Sequence, residues 1–317
     1  MKGQLGFADH IVSASGSRRK DHLGEIAALM DWSGIEELLR PLRCSRLGRP
    51  PYPPLSLFKV LLLQRWYGLS DEAMEDALSD RVSFRRFAGL SLEEMVPDAS
   101  TLCRFRGEMA AADLGERLFE AAGKVLSAKG FLVRSGTLID ASLISAAVAE
   151  PRKQPGGGAS KADPEAVWTK KGSKATFGYK LHVALDQGSG LVRQARLTKA
   201  STADCALGPD LVQGDEQMVY ADMAYDNARM RRRLADLGIA NGVMQRPNKH
   251  HPLTETEKRR NAVLGRVRGR VESLFGTLKR SYQRHRMRYR GLARNSLDIL
   301  LTLLAINLRR ARKLALA

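Results

Sequence analysis

Three acidic residues stand where a carboxylate needs a reason. Asp140 interrupts the β-branched run TLIDASLI (residues 137–144), where a buried carboxylate is costly unless it meets a cation or binds a metal. Asp222 follows the short apolar stretch MVYA (218–221), and open α/β sheets gather ligands at strand ends. Glu272 is the sole acid over residues 258–294, among 13 Lys and Arg. Alone in such a field, it is by itself a natural salt-bridge partner. Helical spacing adds a second reading. At about 100° per residue, Leu264, Val267, Val271, Leu274, Phe275, Leu278 and Tyr282 form one apolar stripe, with Arg268, Glu272 and Lys279 together along its border. From that border Glu272 can meet carboxylates from two strands while Arg268 and Lys279 face a bound anion. Three convergent carboxylates flanked by cations suit magnesium, which takes oxygen ligands and is completed by waters and substrate phosphates. Two such ions, about 3.5–4 Å apart, activate the attacking oxygen and stabilise the leaving one in phosphodiester displacement.

Other candidates have simpler roles. Asp186 lies in the turn-forming run DQGSG, Asp204 and Asp226 stand where helix caps belong, and Asp163 falls in a Gly-, Pro- and Lys-rich loop over residues 151–164. His250 and His251 are neighbours in a loop. His182 is isolated in a strand pattern, where a structural role is the natural reading, although it shares a strand face with Lys180. Cys44, Cys103 and Cys205 are odd in number, far apart and without a C-x-x-C, so neither a disulfide framework nor a zinc knuckle is expected. No G-x-x-x-x-G-K-[ST] occurs, which argues against a nucleotide-hydrolysing motor. The opening MKGQLGFADH lacks the layout of a secretory signal. The most apolar run, residues 297–308, is too short for a membrane span and contains Asp298. A soluble, cytoplasmic protein is expected.

The charge is unevenly placed. The 317 residues carry 52 Lys and Arg against 34 Asp and Glu, a net +18. Residues 1–133 hold 18 basic and 18 acidic residues, 134–257 hold 17 and 14, and 258–317 hold 17 and 2. A basic excess crowded into the last sixty positions and interleaved with apolar residues points to a polyanion, nucleic acid foremost. A solvated basic tail would lack that periodicity.

The elements that position these residues follow from pattern. The first third reads as helical, with helices over residues 26–39, 55–67, 70–78, from Asp98 onward, and 114–128, and a short aromatic and basic segment over 83–87. Gly68 closes the second, and Ser70 and Asp98 cap others. Arg104 and Arg106 sit early in a capped helix, which fits a helix-turn-helix-like DNA reader and equally a dimerisation or packing bundle. After Gly136 the pattern turns to strands over 137–144, 177–185, 191–198, 218–221 and 241–245, with a basic helix over 227–237. A long helix over 261–284 and a final one over 296–314 complete an α/β chain with a mixed sheet and no internal repeat.

At this point the residues resemble a known pattern. LGFADH, RPPYPP, QRWYGLSDEAMEDAL, SFRRFAGLSLEEMVPDASTL, GTLIDASLI, WTKKGSKATFGYKLHVALD, VYADMAYD and RVRGRVESLFGTLKR occur in the order of bacterial insertion-sequence transposases of the insertion-sequence-five family. The resemblance runs over nearly the whole chain. It implies an RNase H-like mixed sheet flanked by helices, preceded by an all-helical N-terminal domain and followed by a C-terminal helix. The domains are then 1–130 for DNA binding or dimerisation, 131–290 for catalysis and 291–317 for the last helix, packed on the core or a partner. It implies that Asp140, Asp222 and Glu272 are a catalytic, metal-holding triad using two Mg2+ ions, with Mn2+ able to substitute. The family signature on the last catalytic helix reads Tyr, two residues, Arg, three, Glu, six, Lys. Arg268, Glu272 and Lys279 fit it, while its Tyr position is Gly265. Expected DNA contacts are Arg268, Lys279, Lys170, Lys171, Lys180, His182, Arg104 and Arg106. Expected partners are double-stranded DNA, as terminal inverted repeats and target, and a second copy in a synaptic dimer. A DNA-binding protein without catalysis and a nuclease that cuts without joining are the alternatives.

Overall fold

Local signals set most helix ends. In chain order the described α-helices preceding the sheet are α1 His22–Leu29, α2 Ser33–Leu39, α3 Pro54–Tyr67, α4 Asp71–Asp80, α5 Val82–Ala88, α6 Ala99–Ala111 and α7 Leu114–Ala128. The computed structural model describes residues 21–42, 51–148, 160–247 and 252–316. LGFADH, Cys44, residues 151–159 of the loop and His250-His251 lie outside them. Ser70 Oγ accepts the Ala73 N–H at 3.1 Å, and Asp98 Oδ1 accepts that of Thr101 at 2.6 Å, as expected of caps. Gly68 ends α3 at φ +67°, where a side chain is strained. The expected helix over 26–39 is two helices. Asp31 Oδ1 accepts the Ser33 N–H at 3.0 Å, a local turn that competes with helical continuation.

The chain forms two compact units, one from residues up to Ala128 together with those from Leu300 onward, the other from Lys129–Ile299. In the first, Leu39, Phe58, Leu61, Leu62, Met74, Leu78, Leu102 and Leu118 are buried, as are Leu303, Leu304 and Leu308 of the last helix, α12 Leu292–Ala315. Trp66 Nε1 donates to the Ala305 carbonyl at 2.8 Å, which satisfies a buried donor. No described helix is long and apolar enough to cross a membrane.

The second unit is built on β1 Thr137–Ser145, β2 Val167–Lys171, β3 Lys174–Asp186, β4 Val192–Lys199, β5 Met218–Ala221 and β6 Ala240–Val243. The strand order is β4-β3-β1-β5-β6, with β2 also paired to β3. Strand β3 is antiparallel to β1, β2 and β4, while β5 runs parallel to β1 and β6 parallel to β5. This is the mixed sheet expected of an RNase H-like fold. Helices α8 Asp204–Leu207, α9 Ala228–Asp236, α10 Glu255–Val267 and α11 Gly269–Arg280 accompany it. Ile139, Ala184, Val219 and Ala221 pack with Tyr225, Met230 and Leu234, and α11 packs on β1.

Four local expectations change. The hairpin arm β2 is additional. Helix 261–284 is divided at Arg268 into α10 and α11. Asn227, not Asp226, caps α9 by accepting the Met230 N–H at 2.8 Å, which leaves Asp226 to pair with Arg231 and accept the Arg246 N–H at 3.1 Å. Asp163 is fully buried, accepting the Tyr179 hydroxyl at 2.7 Å and the Gly291 N–H at 3.2 Å. One stability consequence follows from Gly265, which lies inside α10 where an added Cβ meets nothing within 4 Å. Glycine in a helix interior costs about 0.5–1 kcal/mol relative to alanine. Gly265→Ala is expected to raise the unfolding free energy by about that amount in a urea titration, with an unchanged m-value.

Candidate active site

The β1–β5 pair sets the first two acids side by side. Thr137 lies opposite Val219 and Leu138 opposite Tyr220, so the register carried two residues further brings Asp222 level with Asp140. Asp222 keeps an extended backbone (φ −78°, ψ 176°). Alternation along both strands therefore puts the two carboxylates on one face, on neighbouring strands about 4.8 Å apart. Beyond Asp222 the chain turns at once. Its carboxylate accepts the Ala224 N–H at 2.9 Å, capping the 3₁₀ turn Met223–Tyr225.

Asp140 is held from two sides. Its Oδ1 accepts the Ala141 N–H at 2.8 Å, and its Oδ2 accepts Arg268 Nη2 at 3.0 Å. Both side chains of the ion pair are 15% exposed. Arg268 stands at the α10–α11 break and also donates to Met244 Sδ at 3.7 Å. Glu272 lies one helical turn further, in the first turn of α11, and is exposed. The described residues contain no group of three or more His, Cys, Asp or Glu gathered to hold a metal ion. The strand register thus carries Asp140 and Asp222 to the same level of neighbouring strands. It leaves Glu272 outside a closed three-acid set, on a helix that packs against β1. The charge answering Asp140 is the Arg268 guanidinium, which offsets the cost of partly burying a carboxylate.

Tyr225 completes the turn after Asp222 and is fully buried. Burial, followed by the fields of Asp204, Asp140 and Asp222, pushes its hydroxyl far above the ordinary tyrosine range, and Arg268 opposes them. Sequence reasoning passed over Tyr225. Its signal was an aromatic residue three positions after a strand-end acid.

His182 and Lys180 belong to the other face. His182 lies opposite Ala141, one position from Asp140, so the pleat directs it away from the Asp140 carboxylate. It is fully buried, with Nε2 3.0 Å from Thr198 Oγ1, and cannot serve as an exposed DNA contact. Lys180 donates to the Thr202 carbonyl at 2.7 Å and sits 2.8 Å from Asp204 Oδ1, so its charge is engaged locally. Asp204 accordingly opens α8 as an ion-pair partner, with Ala203 in the cap position.

Burial lowers the His182 pKa to about 4, with Asp204 opposing and Lys180 assisting. The unfolded chain takes up a proton near pH 6.5 that the folded chain refuses until about pH 4. Stability is then complete above about pH 6.5 and falls on acidification toward pH 4, by up to about 1.4 kcal/mol per unit. His182→Gln is expected to flatten that part of the urea-unfolding profile. A slope equal to wild type would remove His182 as its source.

The remaining basic residues divide. Lys170 is exposed on β2, Lys171 is in the same strand, Arg104 is exposed on α6, and Lys279 is half-buried in the last turn of α11. Arg106 does not remain available: it is 7% exposed and its Nη2 donates to Asp71 Oδ1 at 2.5 Å. One residue in the same helix thus separates a surface arginine from a structural one.

Residues 132–308 match the family model described as the transposase DDE domain, and residues 13–108 match a second transposase-domain model. Among solved structures, the chain is similar at 11% identity to a piggyBac transposase synaptic complex with hairpin DNA. That likeness covers 93% of this chain and 72% of the other, with a TM-score of 0.46. A Mos1 transposase paired-end complex with left transposon end is also 11% identical, over 88% of this chain and 91% of the other, with a TM-score of 0.22.

Proposed function

We propose a mechanism that starts from membership: the chain belongs to the transposase DDE domain family and is a DNA transposase. The family cuts and rejoins DNA and uses divalent metal ions. In our reading Asp140, Asp222 and Glu272 form the triad of this chain. The observation carrying it is the β1–β5 register, which supports two carboxylates side by side on one face.

Two adjacent carboxylates are hard oxygen donors and fit a divalent cation, Mg2+ or Mn2+, completed by water and phosphate. Asp140 and Asp222 would hold it, with Glu272 joining from α11, and two ions are expected. Bound there, the ions supply activation of the attacking oxygen and stabilisation of the leaving one. The protein's own part is electrostatic. Arg268 answers Asp140 in the free enzyme and turns to a DNA phosphate on engagement; Lys279 adds a second cation on the same helix. Lys170, Lys171 and Arg104 contact the backbone further out. The wider reading is an enzyme of the insertion-sequence-five family in the bacterial cytoplasm. A dimer pairs two inverted repeats, frees 3′-OH ends and joins them to target DNA.

The test incubates purified protein and Mg2+ with a duplex carrying the inverted repeat that flanks its gene, beside a supercoiled target. Metal-dependent nicking and joining are expected. Binding without cutting would move the chain to a DNA-binding role, and cutting without joining to a nuclease.

A further inference from the structure

Arg268 reaches across three strands from the break between α10 and α11. Its Nη2 donates to Asp140 Oδ2 at 3.0 Å, and its Nη1 to Met244 Sδ at 3.7 Å. Met244 directly follows β6, and its N–H donates to the Ala221 carbonyl at 3.0 Å. With Ala221 opposite Val243, Met244 stands level with Asp222. Strand β5 runs between β1 and β6. A guanidinium touching both flanks, on strands about 10 Å apart, therefore lies across the end of β5, the strand that leads into Asp222. A cation of the chain itself covers the ground between the two aspartates.

Both oxygens of Asp140 are engaged, Oδ2 by Arg268 and Oδ1 by the Ala141 N–H at 2.8 Å. The Ala141 donor belongs to the strand backbone and stays, whereas the arginine is a side chain that can swing out. Arg268 is also loosely held. Thioether sulfur is a weak acceptor, and the buried Arg268 Nε has no hydrogen-bond partner among the described residues. Arg85 shows the contrast: its Nε donates to the Leu78 carbonyl at 2.8 Å and its Nη1 to three further carbonyls. A guanidinium presents its donors in a planar fork that matches phosphate. Arg268 meets one carboxylate oxygen and one sulfur, so a DNA phosphate offers it more than the DNA-free site does.

We propose that Arg268 is a DNA-dependent gate on the divalent-cation site. In the DNA-free chain its guanidinium holds the place of the cation between Asp140 and Asp222, and a DNA phosphate draws it away. The acids then become available where DNA is engaged and not before. The proposal rests on the reading of the aspartates as metal ligands. A site blocked about nine-tenths of the time binds about tenfold more weakly, a coupling of ordinary size between two ligands.

The test titrates the full chain with Mn2+ alone by calorimetry, then again with a pre-cut inverted-repeat duplex bound. Wild type is compared with Arg268→Gln. Arg270→Gln is the control: it removes the same charge two residues away, from a side chain that donates to the Gln187 and Gly188 carbonyls. Without DNA, Arg268→Gln is expected to bind Mn2+ about tenfold more tightly than wild type, and Arg270→Gln about as wild type does. DNA is expected to tighten Mn2+ binding about tenfold more in wild type than in Arg268→Gln. In EDTA Arg268→Gln melts lower, because Asp140 keeps a partly buried charge without its partner, and Mn2+ raises its Tm further than that of wild type. Equal Mn2+ affinity in wild type and Arg268→Gln would overturn the gate and leave the metal site standing. So would a gain matched by Arg270→Gln. Wild type whose Mn2+ affinity ignores DNA would overturn the gate without recourse to any variant. No Mn2+ binding in any of the proteins, with or without DNA, would overturn the metal site itself, and the gate with it.

Discussion

Asp140→Asn, Asp222→Asn and Glu272→Gln are each expected to lower strand cleavage by a factor of about 10³ or more, with inverted-repeat binding kept in all three and near wild type in the second and third. Losing a ligand that holds a catalytic cation removes several kcal/mol of transition-state charge stabilisation, and each 1.4 kcal/mol or so is tenfold in rate. The amide variants keep the shape of the side chains. In Asp140→Asn the amide oxygen can still accept from the Ala141 N–H, as the Asp140 carboxylate does at 2.8 Å. What the substitutions remove is charge. At position 140 the change also takes the countercharge from Arg268, so tighter, less selective DNA binding accompanies lost cleavage there. Groups acting as one unit are strongly non-additive, so double variants should be scarcely worse than single ones. Single-turnover cleavage beside a gel-shift titration separates the two quantities. Glu272→Gln is the most discriminating, because Glu272 is exposed and outside a closed three-acid set. Cleavage surviving in it would confine the metal site to the two aspartates.

Gly178→Ala is expected to cost about 3 kcal/mol or more of folding stability, the range of overpacking against atoms that cannot yield. Gly178 in β3 lies opposite both Ser145 of β1 and Val167 of β2. An added Cβ there would sit 2.2 Å from the Ile144 carbonyl oxygen and 2.7 Å from the Ala146 nitrogen, both backbone atoms. The Ala146 N–H is engaged by the Phe177 carbonyl at 2.9 Å, so relief in that direction breaks a hydrogen bond. In a unit of this size each kcal/mol shifts Tm by about 2–4 °C, which gives a fall of roughly 6–12 °C by calorimetry. A change under about 2 °C would mean that the strand crossing opens at little cost.

The legible parts of the sequence were those governed by local chemistry. Ser70, Asp98 and Gly68 mark helix ends because cap hydrogen bonds and positive φ are one-residue requirements. Strands β1, β3, β4, β5 and β6 follow from runs of apolar and β-branched residues. Strand β2 escaped because Thr169, Lys170 and Lys171 carry no apolar alternation, and its partner is a hairpin arm only two residues away. The break at Arg268 escaped because the apolar stripe continues across it, although Gly265 and Gly269 both weaken a helix there. Asp163 looked like a loop acid because its burial depends on Tyr179 and Gly291, far along the chain. Of the candidate site, Asp140 and Asp222 were visible as acids at odds with their apolar surroundings. Which arginine of Arg104 and Arg106 would be buried was harder to see, though Arg106 follows Leu102 by four and Phe105 by one, toward the apolar side of α6.

The two aspartates meet only through a parallel strand pair, and this fixes when in the life of the chain the site comes into being. Strands β1, β3 and β4 associate antiparallel and lie near one another in sequence. The β1–β5 pairing spans a much longer separation, and such contacts form late because loop closure precedes any gain from them. A nascent or partly folded chain therefore carries both acids without carrying the site. If those two acids hold the cation as proposed, cutting awaits the β1–β5 pairing, and a chain that has not made it leaves the DNA around it intact.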